Sequence, residues 1–110
     1  MASLLSGINR QREKRYSRAR AIIEDLIRIL VEKYHAKKIV LVGSCLNKDH
    51  FHFRSDIDLC VKGLEDNLYF QALGELLIRA GEFDVDLIPM EHATERMRGY
   101  IEKGEVLYNE

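Results

Sequence analysis

Residues 55–61, Ser55-Asp56-Ile57-Asp58-Leu59-Cys60-Val61, alternate acidic and apolar side chains. A β-strand points successive side chains to opposite faces, so Asp56 and Asp58 share one side while Ile57, Leu59 and Val61 enter a core. The pattern returns in Phe83-Asp84-Val85-Asp86-Leu87-Ile88, which sets Asp84 and Asp86 on one side of a second strand. If the two strands are neighbours, three or four carboxylates share a patch. Two unit charges about 4 Å apart repel by roughly 4 kcal/mol at an effective dielectric of about 20. Such acids either take up protons or surround a divalent cation. Oxygen donors without histidine or thiolate select magnesium or manganese. Two such ions about 3.5–4 Å apart can activate an attacking oxygen and stabilise the leaving one, as phosphoryl and nucleotidyl transfer require.

The flanking sequence supplies the rest of an α/β fold, a small mixed sheet covered by helices. Lys38 to Val42 is a β-branched apolar run ended by Gly43, and reads as a buried strand. The loop from Ser44 to Ser55 has room for a helical turn. Upstream, from about Asn9 to Tyr34, Ala19, Ile22, Ile23, Leu26, Ile27, Leu30 and Val31 recur three and four apart, predicting an amphipathic helix roughly 39 Å long. Its front end, Arg10 to Arg20, is expected to project beyond the core. Leu68 to Ala80 predicts a second helix closed by Gly81. Pro89 ends the third strand, Glu91 to Lys103 predicts a last helix, and Val106 to Tyr108 a short edge strand. The order is αββαβαβ in one domain over residues 1–110, with residues 1–20 the projecting basic end.

Composition narrows the function classes. The chain has 110 residues, 46% hydrophobic and 32% charged, with a formal net charge of -1. A domain that coats nucleic acid or membrane is usually strongly basic, so direct nucleic-acid binding is disfavoured. No apolar run approaches the ~20 residues of a membrane span, and the first residues lack a signal-peptide pattern, so a cytoplasmic protein is expected. Cys45 and Cys60 have no metal-site or redox-motif spacing and read as reduced thiols. His50 and His52 fall on one side of an extended loop and read as surface residues rather than ligands. The arginine-rich helix start reads first as a solvated charge run; contact with a partner's acidic face is the next reading and RNA a weaker one.

Val42-Gly43-Ser44 adds a second component. Glycine lets the backbone approach a ligand, a following helix start would aim N–H groups at phosphate, and Ser44 offers a hydroxyl. Gly43-Ser44, a loop, Asp56-x-Asp58, then a helix and a strand bearing Asp86 together resemble the polymerase-β-like nucleotidyltransferase superfamily. Eleven residues lie between Ser44 and Asp56. With about twenty residues beyond the third acid, the chain is similar to minimal nucleotidyltransferases (MNT), the antitoxin-type partners of HEPN-domain ribonuclease toxins.

The resemblance implies transfer of AMP from ATP, or of another nucleotide from its triphosphate, to a tyrosine of the partner, with pyrophosphate released. By position, Gly43 and Ser44 would hold the triphosphate, and Asp56 and Asp58 would bind two magnesium ions, or manganese. Asp86 would bind one metal and help deprotonate the incoming hydroxyl. Asp84 competes for that role; Asp86 is preferred because it lies between apolar residues with Leu87-Ile88 following. The loop carries His50, Phe51, His52 and Phe53 where a basic residue soon after Ser44 is expected, and Lys48 and Arg54 are its available cations. Two other functions stay open: a non-catalytic antitoxin that neutralises by contact alone, and a nucleotidyltransferase acting on a small molecule. Homo- or hetero-oligomers are both compatible.

Overall fold

The computed structural model describes residues 4–110; residues 1–3 of the expected domain lie outside the described residues. The order is α1 (Leu4–Glu32), β1 (Lys38–Val42), β2 (Ile57–Lys62), α2 (Tyr69–Ala80), β3 (Val85–Pro89), α3 (Glu95–Glu102) and β4 (Glu105–Asn109). Short 3-10 turns occupy Gly43–Leu46, Asp66–Leu68 and Met90–His92. The expected order αββαβαβ is therefore the observed one.

The four strands form one mixed sheet in the order β3-β2-β1-β4. β1 is antiparallel to β2 and β4, whereas β2 and β3, joined through α2, run parallel. One face carries Ile39, Leu41, Ile57, Leu59, Val61 and Leu87, packed against Ala19, Ile23, Leu26 and Leu30 of α1 and Ala72 and Leu76 of α2. The helical spacing of the α1 residues and the alternation of the strand residues are what make these two surfaces meet.

The sheet's other face is partly buried too, which the alternation alone does not show. Val40, Val42 and Cys60 form a second cluster with Ile88, Met90 and Ile101, roofed by α3. β2 is thus apolar toward α1 and α2 along its length. Toward α3 it is acidic at Asp58 and apolar at Cys60.

Several boundaries differ from the sequence reading. α1 begins at Leu4 rather than near Asn9. Gly7 is the weakest helix former there, and one glycine costs only about 1 kcal/mol against alanine. β3 starts at Val85, because Phe83 N–H donates back to Ala80 O at 3.2 Å and closes the turn after α2. α3 starts at Glu95, where the Thr94 side chain caps the helix by accepting from Met97 N–H at 3.2 Å. Gly81, with φ of 61°, ends α2 as expected.

Candidate active site

The acids meet at the end of the sheet where β1 finishes and β2 and β3 begin. Asp58 stands in register with Val42 on one side and Asp86 on the other. Asp56 immediately precedes β2 and is exposed, as is Asp86, whereas Asp58 is half-buried. Burial, then the nearby charge of Asp86, then that of Asp56, push the Asp58 carboxyl up to about 6 from 3.8. Asp84 is not among the charges acting on Asp58. It lies before β3 with an exposed side chain, and its backbone carbonyl accepts from Ile57 N–H at 2.9 Å. Of the three or four acids expected on one patch, three are brought together.

Gly43 completes this ledge from β1. Its φ is 81°, and a Cβ built there would overlap Asp58 Oδ2. Two requirements coincide on one residue, a left-handed backbone and an absent side chain. Gly43 itself opens the four-residue 3-10 turn Gly43–Leu46, which does not continue into a longer helix.

The loop beyond the turn is fastened at both ends. Ser44 Oγ donates to Ser55 Oγ at 2.8 Å, and Ser55 Oγ also accepts from His52 N–H at 2.8 Å. Cys45 Sγ donates to the Asp56 carbonyl at 3.2 Å. These bonds tie Gly43-Ser44 to Asp56 across the whole loop. Burial first, with Asp58 adding to it, holds the Cys45 thiol up at about 11, so it stays protonated and able to donate. Ser55 is 2% exposed and has no role in the sequence reading; its signal is its place between the loop and the first acid.

Between the sheet and α3 opens a cavity of about 250 Å³, with Gly43, Asp58 and Asp86 at its polar end and Met97 and Tyr100 on its α3 wall. The sequence reading missed both wall residues. Their spacing, three apart on α3 with Ile101 beside them, places them over the second core cluster. Cys60 lies deeper in the same cavity, where burial again holds its thiol at about 11.

Among the described residues no three histidine, cysteine or acidic side chains converge as a ready-made metal cage. The donor set nonetheless suits magnesium, which is commonly held by one or two carboxylates together with substrate phosphates rather than by an all-protein cage. The His50 and His52 rings serve their own loop. His50 Nδ1 lies 3.2 Å from Asn47 Nδ2, and His52 Nδ1 accepts from Arg54 N–H at 3.2 Å. Among the described residues no helix is long and apolar enough to cross a membrane.

A four-stranded mixed sheet with acids on adjacent parallel strands beside a Gly-Ser turn is the architecture of a nucleotidyl-transfer enzyme. Residues 24–110 match the family described as polymerase beta, nucleotidyltransferase, and the chain belongs to that family. None of the curated proteins matches it in sequence. Solved structures do. A chain in the toxin–antitoxin MntA–HepT crystal structure is 21% identical with a TM-score of 0.63, over 83% of this chain and 73% of that one. A toxin–antitoxin structure with AMP-PNP gives 25% identity and a TM-score of 0.65, covering 79% and 73%. The tri-AMPylated Shewanella oneidensis HEPN toxin in complex with MNT antitoxin gives 20%, 0.63, 84% and 73%. At 20 and 21% identity the likeness speaks for the fold alone.

Proposed function

We propose that this nucleotidyltransferase transfers AMP from ATP to a tyrosine hydroxyl of a HEPN-domain partner and so acts as an antitoxin. The observation that carries this reading is the Asp58 carboxylate, half-buried against the bare backbone of Gly43 and in register with Asp86. Support for the donor and acceptor comes from the structural neighbours, one holding AMP-PNP and one an AMPylated HEPN toxin.

Asp56, Asp58 and Asp86 are the groups that would hold magnesium, which when bound supplies neutralisation of phosphate charge. Gly43 lets the triphosphate lie close to the backbone, and Ser44 redirects its hydroxyl from Ser55 to a phosphate oxygen. Asp86, open to solvent, accepts the proton from the tyrosine Oη as that oxygen bonds to the α-phosphorus. The bond from the α-phosphorus to the bridging oxygen breaks, and pyrophosphate leaves with its electron pair. The α3 wall, Met97 and Tyr100, borders this space with an apolar surface.

The test is co-expression with the host's HEPN protein. Wild type is expected to add AMP mass to a partner tyrosine and restore growth, and an Asp56→Asn, Asp58→Asn double variant to do neither. Rescue by the double variant at normal expression would establish neutralisation by contact alone.

A further inference from the structure

α1 is 29 residues long, about 43 Å at 1.5 Å per residue, and stretches the molecule to 54 × 29 × 21 Å. Among the described side chains its buried residues begin at Ala19, and none of residues 6–14 is buried. The root of the projecting part is firmly set. Tyr16 meets Phe51 edge-on with ring centroids 5.5 Å apart, and the Arg15 guanidinium lies 4.3 Å from the Phe83 ring centre. Arg18 pairs with Glu82 at 2.9 Å, and Arg20 with Glu105 at 2.9 Å.

The charge distribution is lopsided. Residues 1–20 hold six cations against the single acid Glu13, a net +5, so with a chain total of -1 the remaining residues carry -6. Arg10, Lys14 and Arg18 recur four apart and form one stripe, bordering a shallow cleft with Glu13 and Ser17. Glu13 is the one acid bordering this cleft, and among the described residues Arg18 is the only cation of the stripe held in an ion pair, with Glu82.

The stripe also has a fixed relation to the candidate site. Arg20 Nη1 donates to the Cys45 carbonyl at 3.4 Å, and Cys45 Sγ donates to the Asp56 carbonyl. The projecting helix therefore leaves the body at the end of the sheet that carries Asp56 and Asp58, and a protein lying along it would reach that end.

We propose that the outer part of α1, with Arg10 and Lys14 at its centre, is a docking arm for an acidic helix face on the acceptor protein. This rests on the reading that the acceptor is a protein. Carboxylates at helical spacing complement a stripe of cations four residues apart. A helix end held clear of its own core gains packing only from such a partner. A polyanion such as RNA fits less well, because the body and the acid ledge would both repel it.

The experiment uses the full chain and each HEPN-domain protein of the host, purified separately, and compares wild type with an Arg10→Glu, Lys14→Glu variant. Neither substituted residue touches the core or the acid ledge, so thermal unfolding and ATP KM are expected to stay unchanged. The variant is expected to weaken binding of one HEPN protein, and raise its acceptor KM, roughly tenfold at low salt, with kcat unchanged. Substituting acids by lysine on that acceptor should restore the variant. Equal binding and acceptor KM in wild type and variant would overturn the arm while leaving AMP transfer intact. Weakened binding with no AMP transfer by wild type would overturn the functional reading and keep the arm. Loss in the variant of a single-stranded RNA 20-mer's binding, or of a wild-type dimer in sedimentation, with acceptor binding unmoved, would overturn it in favour of RNA or self-association. Wild type binding no HEPN protein would overturn both.

Discussion

The carboxylate of Asp58 occupies the space that a side chain on Gly43 would need: a Cβ there would overlap Asp58 Oδ2. The residue that follows β1 and the second residue of β2 are therefore fitted together through a missing atom. The acid is held half-buried between Gly43 and Asp86, where it is costly to charge without a cation.

Gly43→Ala should displace Asp58 and force a non-glycine residue to φ near 81°. The expected loss is about 1–3 kcal/mol of stability from the backbone, and roughly 100-fold in transfer rate from the displaced carboxylate. Denaturant unfolding and initial-rate assays on the purified variant measure both. Wild-type activity in Gly43→Ala would show that Asp58 does not depend on that space.

The raised Asp58 carboxyl gives a sign to the pH dependence. Without metal, the folded state keeps its proton up to about pH 6, while the unfolded chain releases it near 3.8. Stability from this group is thus present at low pH and lost as pH rises through that window. The shift corresponds to at most about 3 kcal/mol, reduced by partial exposure to about 1–2 kcal/mol. Asp58→Asn should flatten the slope between pH 4 and 6 and raise stability at pH 7.5 in chelator by that amount. Magnesium should reverse the trend for wild type, stabilising it above pH 6 and fading below, because its ligand must be ionised. Urea titrations at several pH values test this; a less stable Asp58→Asn protein at pH 7.5 would contradict it.

Asp86 and Asp84 should behave differently despite lying two residues apart. Asp86→Asn is expected to lower transfer by about 100-fold or more, if Asp86 is the proposed proton acceptor and metal ligand. Asp84→Asn should stay within about threefold, since its backbone carbonyl, not its carboxylate, is what joins β2. The reverse ranking would move the third acid to Asp84.

Ser55→Ala removes the shared acceptor of Ser44 Oγ and His52 N–H. A cost of about 1–2 kcal/mol is expected, with faster amide exchange at His52 and a raised KM for ATP. Unchanged exchange would mean that the loop is held by Cys45 and Asp56 alone.

Much of this was legible in the sequence because strand periodicity is a local signal. Ile57 and Asp58 fall on the expected faces, with Asp56 one residue ahead of β2, and the Lys38–Val42 strand has its expected limits. Register is not local, so the sequence could count four acids but not foresee that the turn closed by Phe83 takes Asp84 out of β3. Burial of Cys60 and Val40 beneath α3 was hidden for the same reason: the short helix reveals its inner face only once it is laid on the sheet. Met97 and Tyr100 look like ordinary helix residues until they border the cavity. The overlap between Gly43 and Asp58 is a relation between two strands, and no pattern in either one encodes it.

The most direct test of the central claim is label transfer from ATP to the proposed HEPN partner, purified, comparing α-labelled with γ-labelled ATP in magnesium. Label from the α-phosphate alone, on a tyrosine of the partner and lost with Asp58→Asn, is the expected result. Transfer of the γ-label instead, or α-label transfer undiminished in Asp58→Asn, would contradict the account.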